Sequence, residues 1–127
     1  MGIIPSDCKY WKSSLSSVDK RKTKIHEGDG EIVRYKIIGD QQYLPINYEF
    51  WEFEPGVSEG DHTHSGYTEI YHCLSGNGVI TIEGDPVPFT QGDTVLVPPE
   101  IDHGVYNSDL SKTLKLLIIW GSSCKSE

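Results

Sequence analysis

Four of the five histidines in this 127-residue chain lie between positions 62 and 103. His62-Thr63-His64 places two imidazoles on one face if the segment is extended, because successive side chains alternate across a strand. Glu69 follows the short Ser65-Gly66-Tyr67-Thr68 turn and opens the next extended segment. His103 comes much later, just past Pro98-Pro99. Imidazoles and a carboxylate together offer the nitrogen and oxygen donors that Fe, Mn, Ni, Co, Cu or Zn accept, with positions left for water or substrate. A closed structural site would more usually be cysteine-rich. Cys8, Cys73 and Cys124 are too few and too widely spaced for that, or for a disulfide framework. A bare His-x-His is more often a pair of ordinary strand histidines. A metal site therefore requires a fold that carries Glu69 and His103 to the same place.

Other chemistry-bearing residues surround this set. Parity from Glu69 puts Tyr71 and Cys73 on the Glu69 side of their strand and His72 on the other. Tyr71 is thus a candidate to orient substrate or donate a proton, with a packed aromatic as the alternative. Tyr35, Tyr48, Glu49, Phe50, Trp51 and Glu52 lie on segments that could wall a pocket, one parity facing inward. A carboxylate among Glu49 and Glu52 near the metal is a candidate general base, although a solvated strand carboxylate is the simpler account of each. Parity alone does not say which of the two faces inward. Tyr67 is placed at the pocket lip, Cys73 among small buried apolar residues, and Asn107 in a turn. His26, before Gly28-Asp29-Gly30, has no evident partner.

The elements that must position these groups read as short strands. Period-two segments rich in β-branched and aromatic residues predict strands near 31–38, 46–53, 60–65, 68–74, 78–83, 94–98, 103–107 and 113–120. Gly- and Pro-bearing turns such as Pro55-Gly56, Ser75-Gly76-Asn77-Gly78 and Gln91-Gly92-Asp93 separate them. Eight short strands at this spacing mean an all-β sandwich or barrel. Residues 1–30 are expected to form an N-terminal arm, with 7–24 mobile or a short helix outside the core. The barrel then spans 31–121 and a tail spans 122–127. In 113–120, Leu114, Leu116, Ile118 and Trp120 share one face, while Leu117 and Ile119 share the other. Segment 46–53 likewise carries aromatics on both parities. Strands apolar on both faces are covered on both, which points to a homodimer, or otherwise to cover by the arm.

Composition bounds the function. Eleven Lys+Arg against nineteen Asp+Glu give a net charge of −8, which excludes an ordinary nucleic-acid binder with its basic stripe. No apolar run approaches the ~20 residues of a membrane-spanning helix. The start of the chain lacks a basic n-region and a long apolar run, so a reducing, cytoplasmic location is expected. Met1-Gly2-Ile3-Ile4-Pro5-Ser6 fits a loose myristoylation pattern, too permissive to carry an anchoring claim.

Two stretches carry a family resemblance. Residues 56–76 read Gly56-x5-His62-x-His64-x4-Glu69-x6-Gly76, and residues 92–107 read Gly92-x5-Pro98-x-Glu100-x2-His103-x3-Asn107. These resemble the two signature motifs of the cupin superfamily. The single departure is Glu100, where the family usually has glycine. The resemblance covers 56–107 by motif and about 31–121 by strand pattern. It implies a single-domain jelly-roll β-barrel (a double-stranded β-helix) holding one divalent transition metal on His62, His64, Glu69 and His103. It further implies a small-molecule partner. The activities it implies are proton-transfer chemistry of the lyase or isomerase type on a small oxygenated metabolite, or Fe-dependent oxygenation. A non-catalytic binder of a sugar or small ligand is the alternative. A metal-free sugar-nucleotide epimerase or isomerase is a further one, though that class lacks the complete ligand set seen here.

Overall fold

The computed structural model describes residues 9–39, 41 and 44–122. The Gly2 lipidation pattern, Cys8, Cys124 and most of the C-terminal tail lie outside the described residues. Ten strands follow in chain order: β1 (Asp19–Thr23), β2 (Ile32–Ile38), β3 (Ile46–Phe53), β4 (Ser58–His62), β5 (Tyr67–Ser75), β6 (Asn77–Ile82), β7 (Asp85–Thr90), β8 (Thr94–Val97), β9 (His103–Tyr106) and β10 (Leu114–Ser122). All pairings are antiparallel. A six-stranded sheet runs β1-β2-β3-β10-β5-β8 and a four-stranded sheet runs β4-β9-β6-β7. The turn spacing predicts an all-β sandwich or barrel, and the two antiparallel sheets take the jelly-roll form that the resemblance implies. Among the described residues no helix is long and apolar enough to cross a membrane.

The core is the set of inward-facing side chains between the two sheets. Ile32, Phe53, Tyr71, Ile80, Phe89, Leu114, Leu116 and Ile118 are all buried. Cross-strand register fixes the parity that the sequence leaves open. Trp51 opposes Arg34 on one side and Leu116 on the other, so residues 49, 51 and 53 face inward. Phe50 and Glu52 face outward. Phe50 packs on Tyr35, with ring centroids 5.2 Å apart. The outer face of the large sheet carries half-buried Leu117, Ile119 and Ile70 beside exposed Leu96.

Three elements differ from expectation. The charged segment Asp19-Lys20-Arg21-Lys22-Thr23 is a strand, not part of a detached arm or helix. It pairs with β2 through its backbone at a sheet edge, where exposed charged side chains are tolerated. β7 carries Pro86 and Pro88 and reads as a turn in sequence. It is an edge strand pairing only with β6, so the missing N–H groups break no second ladder. β4 spans Ser58–His62 rather than 60–65, which leaves His64 in the loop beyond it. Glu100, at the usual glycine position, keeps the left-handed backbone with φ 71°. Its N–H donates to the His64 carbonyl at 2.7 Å, so the strained turn holds the His64 loop.

Candidate metal centre

Both sheets contribute to one end of the barrel. His62 ends β4 and His103 begins β9, and the two are register partners. Glu69 projects inward from β5 on the opposite sheet. His64 reaches in from its pinned loop. The four donor atoms lie within 4.8 Å of one another. From Glu69 Oε1, the Nε2 atoms of His103, His64 and His62 stand at 2.6, 3.2 and 3.9 Å. The far side of each ring is tied. Nδ1 of His62 bonds the Gly60 carbonyl at 2.8 Å, and Nδ1 of His103 bonds the Ile101 carbonyl at 2.8 Å. Nδ1 of His64 bonds the Tyr67 hydroxyl at 2.8 Å. With a proton donated from each Nδ1, all three Nε2 atoms are the ones presented to the common point. Metal-ligating histidines are oriented by bonds of this kind.

The set fits a divalent ion on its own chemistry. His62 Nε2 is buried without a hydrogen-bond partner among the described residues, a state that is costly unless something fills it. Burial holds His62 neutral, its pKa pushed down to about 4. Burial also lowers His64, against the pull of Glu69. His103 differs. Burial lowers it, but its bonds to Glu69 and the Ile101 carbonyl win and raise it. Without metal, its Nε2–H donates to Glu69, and this proton must leave for Nε2 to coordinate.

A second carboxyl stands beside the first. Glu59 is buried on β4, with Oε2 3.8 Å from His62 Nε2, and its Oε1 accepts the Tyr71 hydroxyl at 2.9 Å. Burial, then the nearby Glu69, pushes its pKa up to about 8. His26 stacks on His62 with ring centroids 3.6 Å apart. Glu59 and His26 open, with His64 and Glu69, on a cavity of about 160 Å³ completed by Ile25, Arg34, Trp51, Tyr67 and Trp120; His62 and His103 are not among its lining residues.

Residues 49–120 match the family described as Cupin domain, over more than half of the chain. This chain is a cupin. An uncharacterized protein of Methanocaldococcus jannaschii is 31% identical over 91 residues, covering 70% of this cupin and 71% of that protein. An oxalate-binding protein of Thermotoga maritima is 39% identical over 54 residues, covering 42% of this chain and 45% of its own. Among solved structures, a predicted oxalate decarboxylase of Thermotoga maritima superposes with a TM-score of 0.80 at 22% identity, over 89% of this chain and 100% of that one. At that identity the structural likeness shows the fold alone.

The predicted catalytic residues Tyr71, Glu49 and Glu52 are not among the residues lining the cavity. Tyr71 has no exposed surface and does not line the cavity. Its hydroxyl lies between Glu59 and Glu69, at 2.9 and 3.5 Å, and donates to those carboxylates. Glu49 does face inward, but it is fully engaged. It accepts Arg34 Nε at 2.8 Å, Arg34 Nη2 at 3.0 Å and Trp51 Nε1 at 2.7 Å. A carboxylate so committed is not available as a general base. Glu52 faces outward, accepts the Tyr35 hydroxyl at 2.9 Å and lies 4.0 Å from Lys115 Nζ. Tyr67 lines the cavity, and His72, on the opposite parity from Glu69, bonds Thr94 instead. Asn107 ties its turn by donating to the Phe53 and Lys112 carbonyls. Ile25, His26, Arg34, Glu59 and Trp120 are the cavity residues that sequence reasoning did not place at the site.

Proposed function

We propose that this cupin is a metal-dependent enzyme that moves a proton on a small oxygenated metabolite, chemistry of the lyase or isomerase type. The observation that carries the reading is the convergence of three imidazole Nε2 atoms and Glu69 Oε1 beside a second, protonatable carboxyl, with His64, Glu69 and Glu59 lining one small cavity. His62, His64, Glu69 and His103 would hold one divalent transition metal. Such an ion would polarise a bound carbonyl or hydroxyl oxygen as a Lewis acid. Glu59 supplies the acid–base group. Its carboxyl lines the cavity, and the Tyr71 hydroxyl fixes one oxygen so that Oε2 is the atom free to give or take a proton. Burial holds that proton toward neutrality, where a general acid–base catalyst works best. A dication held by the four donors would oppose the push. His26 and Tyr67 also line the cavity.

The test uses protein purified without a histidine tag. Metal analysis is expected to find one divalent ion per chain. Small 2-oxo and 2-hydroxy acids are then incubated with the protein in D2O without oxygen, and NMR is expected to show deuterium uptake at carbon. The His62→Ala protein should show neither the ion nor the exchange. Exchange that requires oxygen would replace this reading with Fe-dependent oxygenation.

One observation favours a binding role instead. The oxalate-binding relative shares 39% identity over 54 residues. Saturable binding of small acids with no exchange and no product would select that alternative.

The assembly proposed is a homodimer joined through the outer face of the large sheet, where Leu117, Ile119, Ile70 and Leu96 form neighbouring rows. Apolar side chains on a sheet face are stabilised when a second surface removes them from water.

A further inference from the structure

Arg34 is the one lysine or arginine among the residues lining the cavity. It sits on the inner face of β2, opposite Trp51 on β3. Two bonds to one buried carboxylate fix its guanidinium. Nε donates to Glu49 Oε1 at 2.8 Å and Nη2 donates to Glu49 Oε2 at 3.0 Å. Trp51 locks the same carboxylate by donating Nε1 to Oε1 at 2.7 Å. The Trp51 ring also lies under the guanidinium, 5.3 Å from its central carbon. The pair is asymmetric in burial. The Glu49 side chain is 1% exposed and the Arg34 side chain 25%. A counter-ion serving only the fold could be as deeply buried as its partner. Here the carboxylate is sealed in and the guanidinium keeps an open edge, and the opening is the cavity it shares with His64 and Glu69. Nη1 makes no hydrogen bond to any described residue. Held from behind and stacked from one side, this edge has little rotamer freedom left to lose when it binds a ligand.

We propose that Arg34 recognises a carboxylate of the substrate, so that the substrate is a small monocarboxylic acid bearing an adjacent oxo or hydroxy oxygen. The inference rests on the metal reading above, because the adjacent oxygen is the group the ion would take. The planar guanidinium edge matches a planar carboxylate. A phosphate dianion is disfavoured, since Glu59 and Glu69 line the same cavity and Arg34 is the one lysine or arginine there. The cavity of about 160 Å³ is roughly half of the ~300 Å³ where drug-sized sites begin. It therefore takes a compound of a few carbons, whose skeleton lies against Trp120 and Ile25.

The test compares acids with their neutral amides: pyruvate and lactate against pyruvamide and lactamide. Binding is measured by calorimetry on protein whose metal content has been determined, and again after chelation. Wild type is expected to bind the acids about 10- to 100-fold more tightly than the amides, the range for a hydrogen bond to a charged group. The preference should persist at weaker affinity after chelation. A failed metal site therefore shows as an empty metal analysis, and a failed Arg34 assignment shows as lost preference. Arg34→Lys keeps a charge beside Glu49 but loses the planar edge. It should retain the metal and lose most of the preference. Arg34→Met with Glu49→Gln removes the pair without stranding a buried charge. It should bind acid and amide alike while still melting cooperatively. If wild type shows no preference, or if both variants keep it with metal bound, Arg34 is only the counter-ion of Glu49 and the assignment falls.

Discussion

In metal-free protein the Glu59 carboxyl should make the fold lose stability as pH rises past neutrality. An unfolded chain releases this proton near 4.5, whereas the folded protein holds it to about 8, because burial and then Glu69 disfavour the anion. The stabilisation is therefore whole below about 4.5 and gone above about 8. His62 acts in the opposite sense. Burial lowers it from 6.5 to about 4, so the fold gains stability as pH rises across that interval and offsets Glu59 there. Between 6.5 and 8 the Glu59 effect stands without that offset. His103 reinforces it, since its raised value also means stability lost with rising pH. At about 1.4 kcal/mol per pH unit for one proton, the remaining roughly 1.5 pH units amount to on the order of 2 kcal/mol. In a domain of this size that is about 5–10 °C in melting temperature. The assay is thermal or urea unfolding of chelator-treated wild type and Glu59→Gln at several pH values from 6 to about 8.5. The glutamine still accepts the Tyr71 hydroxyl through its amide oxygen but cannot titrate. Wild type should fall relative to the variant across this interval, and loading with Zn²⁺ should flatten the fall. Parallel curves for the two metal-free proteins would mean that Glu59 is already ionised at neutrality, which would refute the reasoning.

Four further outcomes are expected. His62→Ala should lose its metal by elemental analysis while its metal-free unfolding changes by only about 1 kcal/mol, because the apolar core rather than the ion holds the barrel. Glu69→Gln should weaken metal binding less, three imidazoles remaining. Gly60→Ala should destabilise by more than about 2 kcal/mol in urea unfolding, because a Cβ there would fall on the His26 carbonyl oxygen and drive the loop off the strand. Sedimentation at micromolar concentration should give twice the 14.2 kDa chain mass, and Leu117→Lys should give the monomer. A wild-type monomer would remove the sheet-face dimer.

How much of this site can be read without coordinates depends on where alternation holds. His62, His64, Glu69 and His103 are legible because their spacing is tied to turns and strand starts, which survive small shifts in strand ends. Strands β2, β3, β5 and β10 are legible because their apolar alternation is the cause of their burial. β1 is not, since an edge strand needs only backbone pairing. The inward parity of Glu49 depends on Arg34, 15 residues away, and no local pattern reports that pairing. His26 is hidden for another reason: its left-handed backbone, φ 53°, and the two glycines that let its loop lie against β4 have no periodic signal. Glu59 is the sharpest case. Counting by two from His62 sends residue 59 to the outside of the strand, among solvated carboxylates. In the structure Glu59 pairs with Val105 and His62 pairs with His103, so three steps on β4 match two on β9. That extra residue is a β-bulge, and it turns both side chains to the same face. The bulge thereby brings a second carboxyl beside the ligand cluster, where the proposed chemistry needs it. Removing one residue between Glu59 and His62 would take out the bulge yet leave the two side chains two steps apart, the spacing that plain alternation keeps on one face, so the four metal donors and the pH-dependent instability should both survive.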